Sequence, residues 1–262
     1  MMTSPGHMRT VILAGGRATR MGSTASRPKP LLEVGDKPVL AHLMDIYAAS
    51  GVSDFVICAG YRFPEFVRWL NEAGEPRPTE HRDVLVFLVI AEERMFTVTL
   101  VDTGDGTSSG GRLRRVEHLL DDTFFMTYAD GLADVDLAAL LQLHQSSGAA
   151  VTLTAFPLNP RYGIVDIEDD EVLARGFQEK PVIQRKWCNG GFYVVDPHVV
   201  RDHCTDDQVN WEAQVLQKVA ADGGLGVLRH DGFWASMDFP HERDELEMIW
   251  RDRGPIWIPK GS

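Results

Sequence analysis

Apolar and β-branched residues run from Thr10 to Leu13 and stop at Ala-Gly-Gly, which predicts a buried strand ending in a tight loop. Pro38 then opens a segment in which Val39, Leu40, Leu43, Met44, Ile46 and Tyr47 recur at helical spacing until Gly51, with proline at the first turn and glycine at the stop. Asp54–Ala59 predicts a short apolar strand and Pro64–Asn71 a short helix. This order of strand, loop, helix, strand and helix predicts a parallel sheet with helices on its faces.

Farther along, Glu72–His81 carries Gly74, Pro76 and Pro78 and reads as a polar connector. Val84–Ile90 and Val98–Val101 are strand-like, and the Gly, Ser and Thr run between Asp102 and Gly111 reads as a mobile loop before a helix at Arg112–Leu120. Phe124–Tyr128 is an apolar strand that stops at Ala129-Asp130-Gly131, and Leu137–Gln145 is a helix with Leu137, Leu140, Leu141 and His144 on one face. Ala150–Ala155 returns to strand. After Pro157 short strands and turns extend to about Val195, and helical stretches follow at Trp211–Ala221 and Arg243–Trp250. The predicted class is α/β: a Rossmann-like, mixed and mainly parallel sheet flanked by helices, with a small β-rich insertion. Residues 1–8 read as a flexible leader, 9–252 as one domain with halves at about 9–145 and 146–252, and 253–262 as a tail.

Composition narrows the class of partner. Of the 262 residues, 44% are hydrophobic and 24% charged, the balance of an ordinary folded chain. No apolar run approaches the ~18 residues that cross a bilayer, and Val11–Gly16 is too short for a secretory signal core, so the chain is expected to be soluble and cytoplasmic. Cys58, Cys188 and Cys204 lack CxxC spacing and indicate buried free thiols, not a disulfide framework or a zinc cluster. The net charge of −12 argues against a nucleic acid or an anionic membrane surface as partner. Its distribution qualifies the total. Arg9, Arg17, Arg20, Arg27 and Lys29 all precede Glu33, and no Asp or Glu does, so an acidic body carries a basic opening segment fit for a small anion. Gly106–Val116, with Arg112, Arg114 and Arg115 and no acid, is a second basic island.

The opening segment holds the strongest local signal, Leu13-Ala-Gly-Gly-Arg-Ala-Thr-Arg-Met21 followed by Arg27-Pro-Lys-Pro30. Glycines directly after a strand let backbone N–H groups approach an anion, while Thr19 adds a hydroxyl and Arg20 a two-pronged guanidinium. Pro28 and Pro30 stiffen the chain about Lys29 and present one ammonium at a fixed point. The spacing fits neither the GxxxxGK[ST] phosphate loop nor the GxGxxG dinucleotide turn. Glycines after a strand also make plain turns and basic residues a solvated face, so a polyphosphate cradle and a surface loop are both open at this point. Asp130 follows a predicted strand, where ligands of open α/β sheets bind, and its hard oxygens suit Mg²⁺; a turn or cap role is also open to it and to Asp238.

Taken together, Leu-Ala-Gly-Gly, Thr-Arg and Arg-Pro-Lys-Pro resemble the opening signature of the sugar-1-phosphate nucleotidylyltransferases, and the chain is similar in particular to the glucose-1-phosphate cytidylyltransferases. The likeness continues through Gly35-Asp-Lys-Pro38, Thr127-Tyr-Ala-Asp-Gly131, Gly176-Phe-Gln-Glu-Lys-Pro181, Asn189-Gly-Gly-Phe192, Trp211-Glu212 and Met237-Asp238, from about Arg9 to Trp250. It implies a nucleotide-diphospho-sugar transferase type of fold, with the nucleotide in the first half and the sugar phosphate in the second. It further implies Mg²⁺-dependent transfer of CMP from CTP to a sugar 1-phosphate, with α-D-glucose 1-phosphate first among them, and a homo-oligomer, a hexamer by resemblance.

By the same resemblance Arg20, Lys29 and Asp130 are catalytic, and Asp130 and Asp238 hold the metal. Leu13, Ala14, Gly15, Gly16, Arg17, Ala18, Thr19, Arg20, Lys29, Ser109, Arg112, Arg114 and Ala129 contact the nucleotide. Glu179, Lys180 and Asn189 bind the sugar phosphate, and Trp211 and Trp234 wall its pocket. Ala18 and Ala129 stand where the family has glycine, and Asn71–Thr97 diverges from it. Those departures motivate one alternative, a cytidylyltransferase acting on another phosphate or a phosphonate. A catalytically inactive nucleotide-binding regulatory subunit is the other, and the retained Lys29, Asp130 and Asp238 argue against it.

Overall fold

The computed structural model describes residues 4–17, 27–80, 84–91, 94–158, 164–166, 168, 172–179 and 186–259. Strand β1 (Arg9–Leu13) is followed by the small hairpin β2 (Glu33–Val34) and β3 (Lys37–Pro38), then α1 (Val39–Ala48), β4 (Asp54–Ala59) and α2 (Phe63–Ala73). Next come β5 (Gly74–Arg77), β6 (Val84–Ala91), β7 (Arg94–Asp102), α3 (Ser109–Arg115), β8 (Phe124–Tyr128), β9 (Gly131–Ala133) and α4 (Leu137–Ser147). The second half contributes β10 (Val151–Pro157), β11 (Ile164–Asp166), β12 (Gly176–Gln178), β13 (Trp187–Val195) and α5 (Pro197–His203). A π-helical turn at Trp211–Leu216 continues as α6 (Gln217–Ala221), and β14 (Leu225–Arg229), β15 (Trp234–Ser236) and α7 (Pro240–Arg253) complete the order.

Nine strands form one mixed sheet in the order β14-β10-β13-β8-β1-β4-β7-β6-β5. Its centre is parallel, β8 with β1, β1 with β4 and β4 with β7, as the alternation of strands and helices predicts. The flanks are antiparallel except for the β10–β14 pair. Central strands covered on both faces must be apolar throughout, which is why β1 and β4 read as unbroken hydrophobic runs. One face packs Ile12, Leu40, Leu43, Tyr47, Phe55 and Phe125 against α1, and the other packs Val11, Val56, Leu113, Met126 and Tyr193 against α3 and the π-helical turn. Each such side chain, 0% exposed, contributes ~1.5–3 kcal/mol through burial. Helix α4 buries Leu137, Leu140, Leu141 and His144 as its spacing predicts; the Asp136 carboxylate caps it by accepting from the Ala139 N–H at 2.9 Å, and Gly148 ends it.

Several segments differ from expectation. The connector around Pro76 is strand β5, paired with β6 through Gly74↔Val89 to Arg77↔Val86. As the outermost strand it has a free edge, where the missing N–H of Pro76 breaks no ladder bond. The loop after Asp102 packs against the rest of the fold: the Thr103 hydroxyl donates to Ala59 O at 2.6 Å, Ser108 N to Asp207 O at 2.8 Å and Gly110 N to Val209 O at 2.9 Å. Helix α3 therefore begins at Ser109, inside the glycine run. Helix α5 and strand β14 were not expected, and β13 is a single long strand where short strands and turns are predicted.

Candidate active site

At the carboxyl ends of β1 and β8 lies a cleft of about 450 Å³, lined by Leu13–Gly16, Lys29, Pro30, Thr107–Ser109, Arg112, Tyr128–Asp130, Asn210 and Asp238. The loop that floors it is fixed from below. Arg112 is 5% exposed, and its Nη1 donates to Ala59 O at 3.2 Å, Thr103 Oγ1 at 2.7 Å and Gly104 O at 2.9 Å, while Nη2 donates to Gly15 O at 2.9 Å. Burial pulls this guanidinium below its usual range, and the oxygen cage compensates for lost water. A Cβ at residue 15 would stand 1.9 Å from Arg112 Nη1, so glycine there leaves this guanidinium its place and any larger residue would displace it.

Lys29 reaches the cleft from a short 3₁₀ turn, Lys29–Leu31, whose flanking prolines set its direction. The side chain is 8% exposed, and its Nζ donates at 2.8 Å to both Asp130 Oδ2 and Asp238 Oδ1. Two backbone devices bring those carboxylates together across 108 positions of sequence. Strands β9 and β15 pair with Ser236 opposite Gly131, and Met237 N donates to Asp130 O at 2.9 Å. Glu242 then holds the turn, its Oε2 accepting from Asp238 N at 2.6 Å and Phe239 N at 3.0 Å. Two hard carboxylates about one cation position form the kind of donor set that Mg²⁺ uses together with waters and phosphate oxygens. No cluster of three or more His, Cys, Asp or Glu suited to a metal occurs among the described residues, so these two are the candidate pair.

A smaller hollow of about 70 Å³ adjoins the cleft, lined by Thr127, Tyr128, Asp130, Gly131, Asn189–Phe192, Trp234 and Ser236. Tyr128 and Asp130 belong to both spaces and form the partition between them. The Asn189-Gly-Gly-Phe192 motif makes a bulge: β10 pairs Leu153 with Tyr193 but Ala155 with Asn189, so extra residues of β13 loop outward. Gly191, at φ 73°, supplies the left-handed backbone the bulge requires. Thr154 Oγ1 donates to Gly191 O at 2.7 Å and Trp234 Nε1 to Gly190 O at 2.8 Å, and the Trp234 ring stacks on Phe156 at 3.9 Å.

The expected site residues separate into groups. Leu13, Ala14, Gly15, Gly16, Lys29, Ser109, Arg112, Ala129, Asp130 and Asp238 converge on the cleft, and Asn189 and Trp234 on the hollow beside it. Arg17 stands exposed at the rim, its Nε donating to Asp105 Oδ1 at 2.9 Å, with its guanidinium 6.0 Å over the Tyr61 ring; the Asp105 hydrogen bond raises it above its usual range. Arg114 is exposed and lies 4.0 Å from Asp207, outside the cleft lining, and Glu179 is exposed just after β12. Trp211 corrects the expectation of a pocket wall: it is 0% exposed and packs edge-on to Tyr193 inside the core. An indole at the first position of the π-helical turn faces the sheet and not the cleft. Ala18, Thr19, Arg20 and Lys180 lie outside the described residues. Thr107, Ser108, Asn210 and Tyr128 line the cleft and were missed; only Tyr128, within Thr-Tyr-Ala-Asp, carried a signal.

A mixed α/β sheet with a glycine-floored cleft, a buried lysine and two carboxylates at its carboxyl edge belongs to the nucleotidyl transferases, and the sequence pattern of that family matches residues 9–235: this chain is a member of it. Its relatives include glucose-1-phosphate cytidylyltransferase of Salmonella typhi, 38% identical over 95% of this chain and 98% of that protein. Mannose-1-phosphate guanyltransferase of Schizosaccharomyces pombe is 30% identical over 91% of this chain and 62% of that protein. Among solved structures, HddC from Yersinia pseudotuberculosis superposes with a TM-score of 0.68 over 93% of this chain and 99% of that one at 19% identity, which establishes the likeness of fold. No helix among the described residues is long and apolar enough to cross a membrane.

Proposed function

We propose that this enzyme transfers CMP from CTP to α-D-glucose 1-phosphate, giving CDP-glucose and pyrophosphate, with Mg²⁺ as its cation. The carrying observation is Lys29 Nζ held 2.8 Å from both Asp130 and Asp238 where the cleft and the adjoining hollow meet. Identity of 38% along 95% of the chain with the Salmonella typhi cytidylyltransferase supports the choice of CTP and of glucose 1-phosphate.

A nonbridging oxygen of the sugar phosphate attacks the α-phosphorus in line; a new P–O bond forms, the bond to the bridging oxygen of the β-phosphate breaks, and pyrophosphate leaves with its electron pair. Two polyanions meet in this step, so charge neutralisation and orientation supply the catalysis. Lys29 is buried on a stiff turn and brings a fixed positive charge to the phosphates. Asp130 and Asp238 would hold Mg²⁺, which when bound neutralises and orients the phosphate oxygens. The Gly15–Gly16 backbone, braced by Arg112, receives the nucleotide, and by residue type Thr19 and Arg20 serve the same phosphates. Asn189, Glu179 and Lys180 take the sugar phosphate, and Trp234 walls its space. The exposed apolar residues Leu85, Ile90 and Met95 on the β6–β7 pair support a homo-oligomer, which light scattering would read directly. Pyrophosphate release from CTP, glucose 1-phosphate and Mg²⁺ tests the reaction: coupled release supports it, and none with this acceptor but turnover with another phosphate redirects it.

A further inference from the structure

Telling cytosine from uracil takes a group that cannot change its hydrogen-bonding sense. Cytosine accepts at N3 and donates from N4, whereas uracil donates from N3 and accepts at O4. A hydroxyl rotates to donate or accept and so serves either base, while an amide held in one orientation serves only one. The cleft has two ends. Tyr128 and Asp130 also line the adjoining hollow, and Lys29 and Asp238 meet Asp130 at that junction, where the reacting phosphates belong in the proposed reaction. Thr107, Ser108, Ser109 and Asn210 line the cleft and not the hollow, which leaves their end to the nucleoside.

Asn210 comes from the second half of the chain and is held against the Thr107–Ser109 loop by backbone bonds from Ser108 N to Asp207 O at 2.8 Å and from Gly110 N to Val209 O at 2.9 Å. Three of its four polar atoms are spent within its own turn. Asn210 N donates to Gln214 Oε1 at 2.6 Å, Asn210 O accepts from Gln214 N at 3.1 Å, and Oδ1 caps the π-helical turn by accepting from Ala213 N at 2.7 Å. The cap fixes the amide, because turning it over would set two donors face to face. Nδ2 is then a pure donor at the cleft, with no acceptor among the described residues. The other side chains of the lining lack this combination. Ser109 turns its hydroxyl to Glu212 Oε2, 3.3 Å away, and accepts from Trp211 N at 2.8 Å, and Tyr128 donates to Glu212 as well. Lys29 is held by its two carboxylates and Arg112 by the carbonyl oxygens beneath the loop. Thr107 and Ser108 offer hydroxyls, which suit either base.

We propose that Asn210 is a specificity-determining residue whose Nδ2 donates to N3 of the cytosine ring, so that CTP is chosen over UTP at this amide. Uracil sets its own N3–H against the same donor and leaves both hydrogens unpaired. This inference rests on the cytidylyltransfer reading above and names the group that makes its choice of nucleotide.

The test measures kcat/KM for CTP and for UTP, with glucose 1-phosphate and Mg²⁺, in wild type, Asn210→Ser and Asn210→Asp. Serine and aspartate both retain an oxygen that caps Ala213 N. Asn210→Ser removes the fixed donor and is expected to lower kcat/KM for CTP about tenfold, the worth of one net hydrogen bond, while that for UTP stays unchanged. Asn210→Asp puts an acceptor in place of the donor; its charge weakens both triphosphates, and the CTP to UTP ratio is expected to fall about a hundredfold below wild type. A purely structural role for Asn210 would lower both nucleotides by one factor, so an unchanged ratio overturns the inference. If one variant does not fold, the other decides by the same ratio. Calorimetric Kd values for CTP and UTP read that ratio with no acceptor present. A wild type that prefers CTP but turns over no glucose 1-phosphate contradicts the acceptor assigned, and the binding ratio of the variants then decides the inference. A wild type that binds CTP and UTP alike overturns the inference together with the choice of CTP.

Discussion

Replacing Lys29 by methionine keeps the length of the side chain and removes its charge. In the native site each carboxylate oxygen lies 2.8 Å from Nζ, so the two oxygens are no more than about 5.6 Å apart. Two unit charges at that distance repel by about 3 kcal/mol at an effective dielectric near 20. The side chains of Asp130 and Asp238 are 38% and 34% exposed, so water screens part of this, and about 1–2 kcal/mol remains as lost stability. That lowers Tm by roughly 2–8 °C for a chain of this size. A divalent cation held by the two carboxylates would offset the same repulsion, so millimolar Mg²⁺ is expected to raise Tm more in Lys29→Met than in wild type. Turnover moves the other way: loss of a fixed cation at the phosphates lowers kcat/KM for CTP by about 10²–10³-fold. Calorimetry with and without Mg²⁺, paired with pyrophosphate release, reads both effects. A variant with wild-type kcat/KM, or with a smaller Mg²⁺ response than wild type, refutes the reasoning.

Asp130→Asn removes half of the proposed cation site from a half-exposed position, so turnover falls by orders of magnitude while the circular dichroism spectrum and Tm stay near wild type; near-normal kcat sinks the assignment. Gly15→Ala drives a Cβ into Arg112, and pyrophosphate release should drop at least tenfold with weaker CTP binding by calorimetry; unchanged binding would contradict the bracing role. Burial pushes the thiols of Cys58 and Cys204 up to about 12, so a thiol reagent at pH 8 should modify only Cys188 in the native protein and all three after denaturation. For Asp196, burial alone would raise the carboxyl, but hydrogen bonds from His144 and Thr123 outweigh it and hold it below its usual value. That stability is present above the unfolded value of about 3.9 and lost as pH falls through the lower folded value, so Asp196→Asn should flatten the acid limb of the urea midpoint; parallel curves would refute it.

The central sheet and the carboxylate at its edge were legible because their causes are local. An unbroken apolar run from Thr10 to Leu13 has nowhere to sit but between two covered faces, and Asp130 follows a strand whose partners are as apolar as itself. The rest depends on contacts distant in sequence. The resemblance, supported by a basic neighbourhood, places Arg112 among the nucleotide contacts, and only the missing Cβ at Gly15, 97 positions away, shows a slot shaped for its guanidinium. Pro76 argues against a strand until that strand turns out to be the edge of the sheet. Trp211 beside Glu212 looks like part of a pocket wall, yet the π-helical turn sends the indole into the core and the carboxylate to Tyr128. The bulge at Gly191 is likewise invisible until β10 and β13 are in register.

The proposed reaction is most directly tested by ³¹P NMR of purified protein with CTP, α-D-glucose 1-phosphate and Mg²⁺. Paired diphosphate resonances of CDP-glucose, growing in step with pyrophosphate as CTP and sugar phosphate disappear, are the predicted result. Unconsumed CTP, or CTP hydrolysis to CMP with glucose 1-phosphate intact, would contradict it.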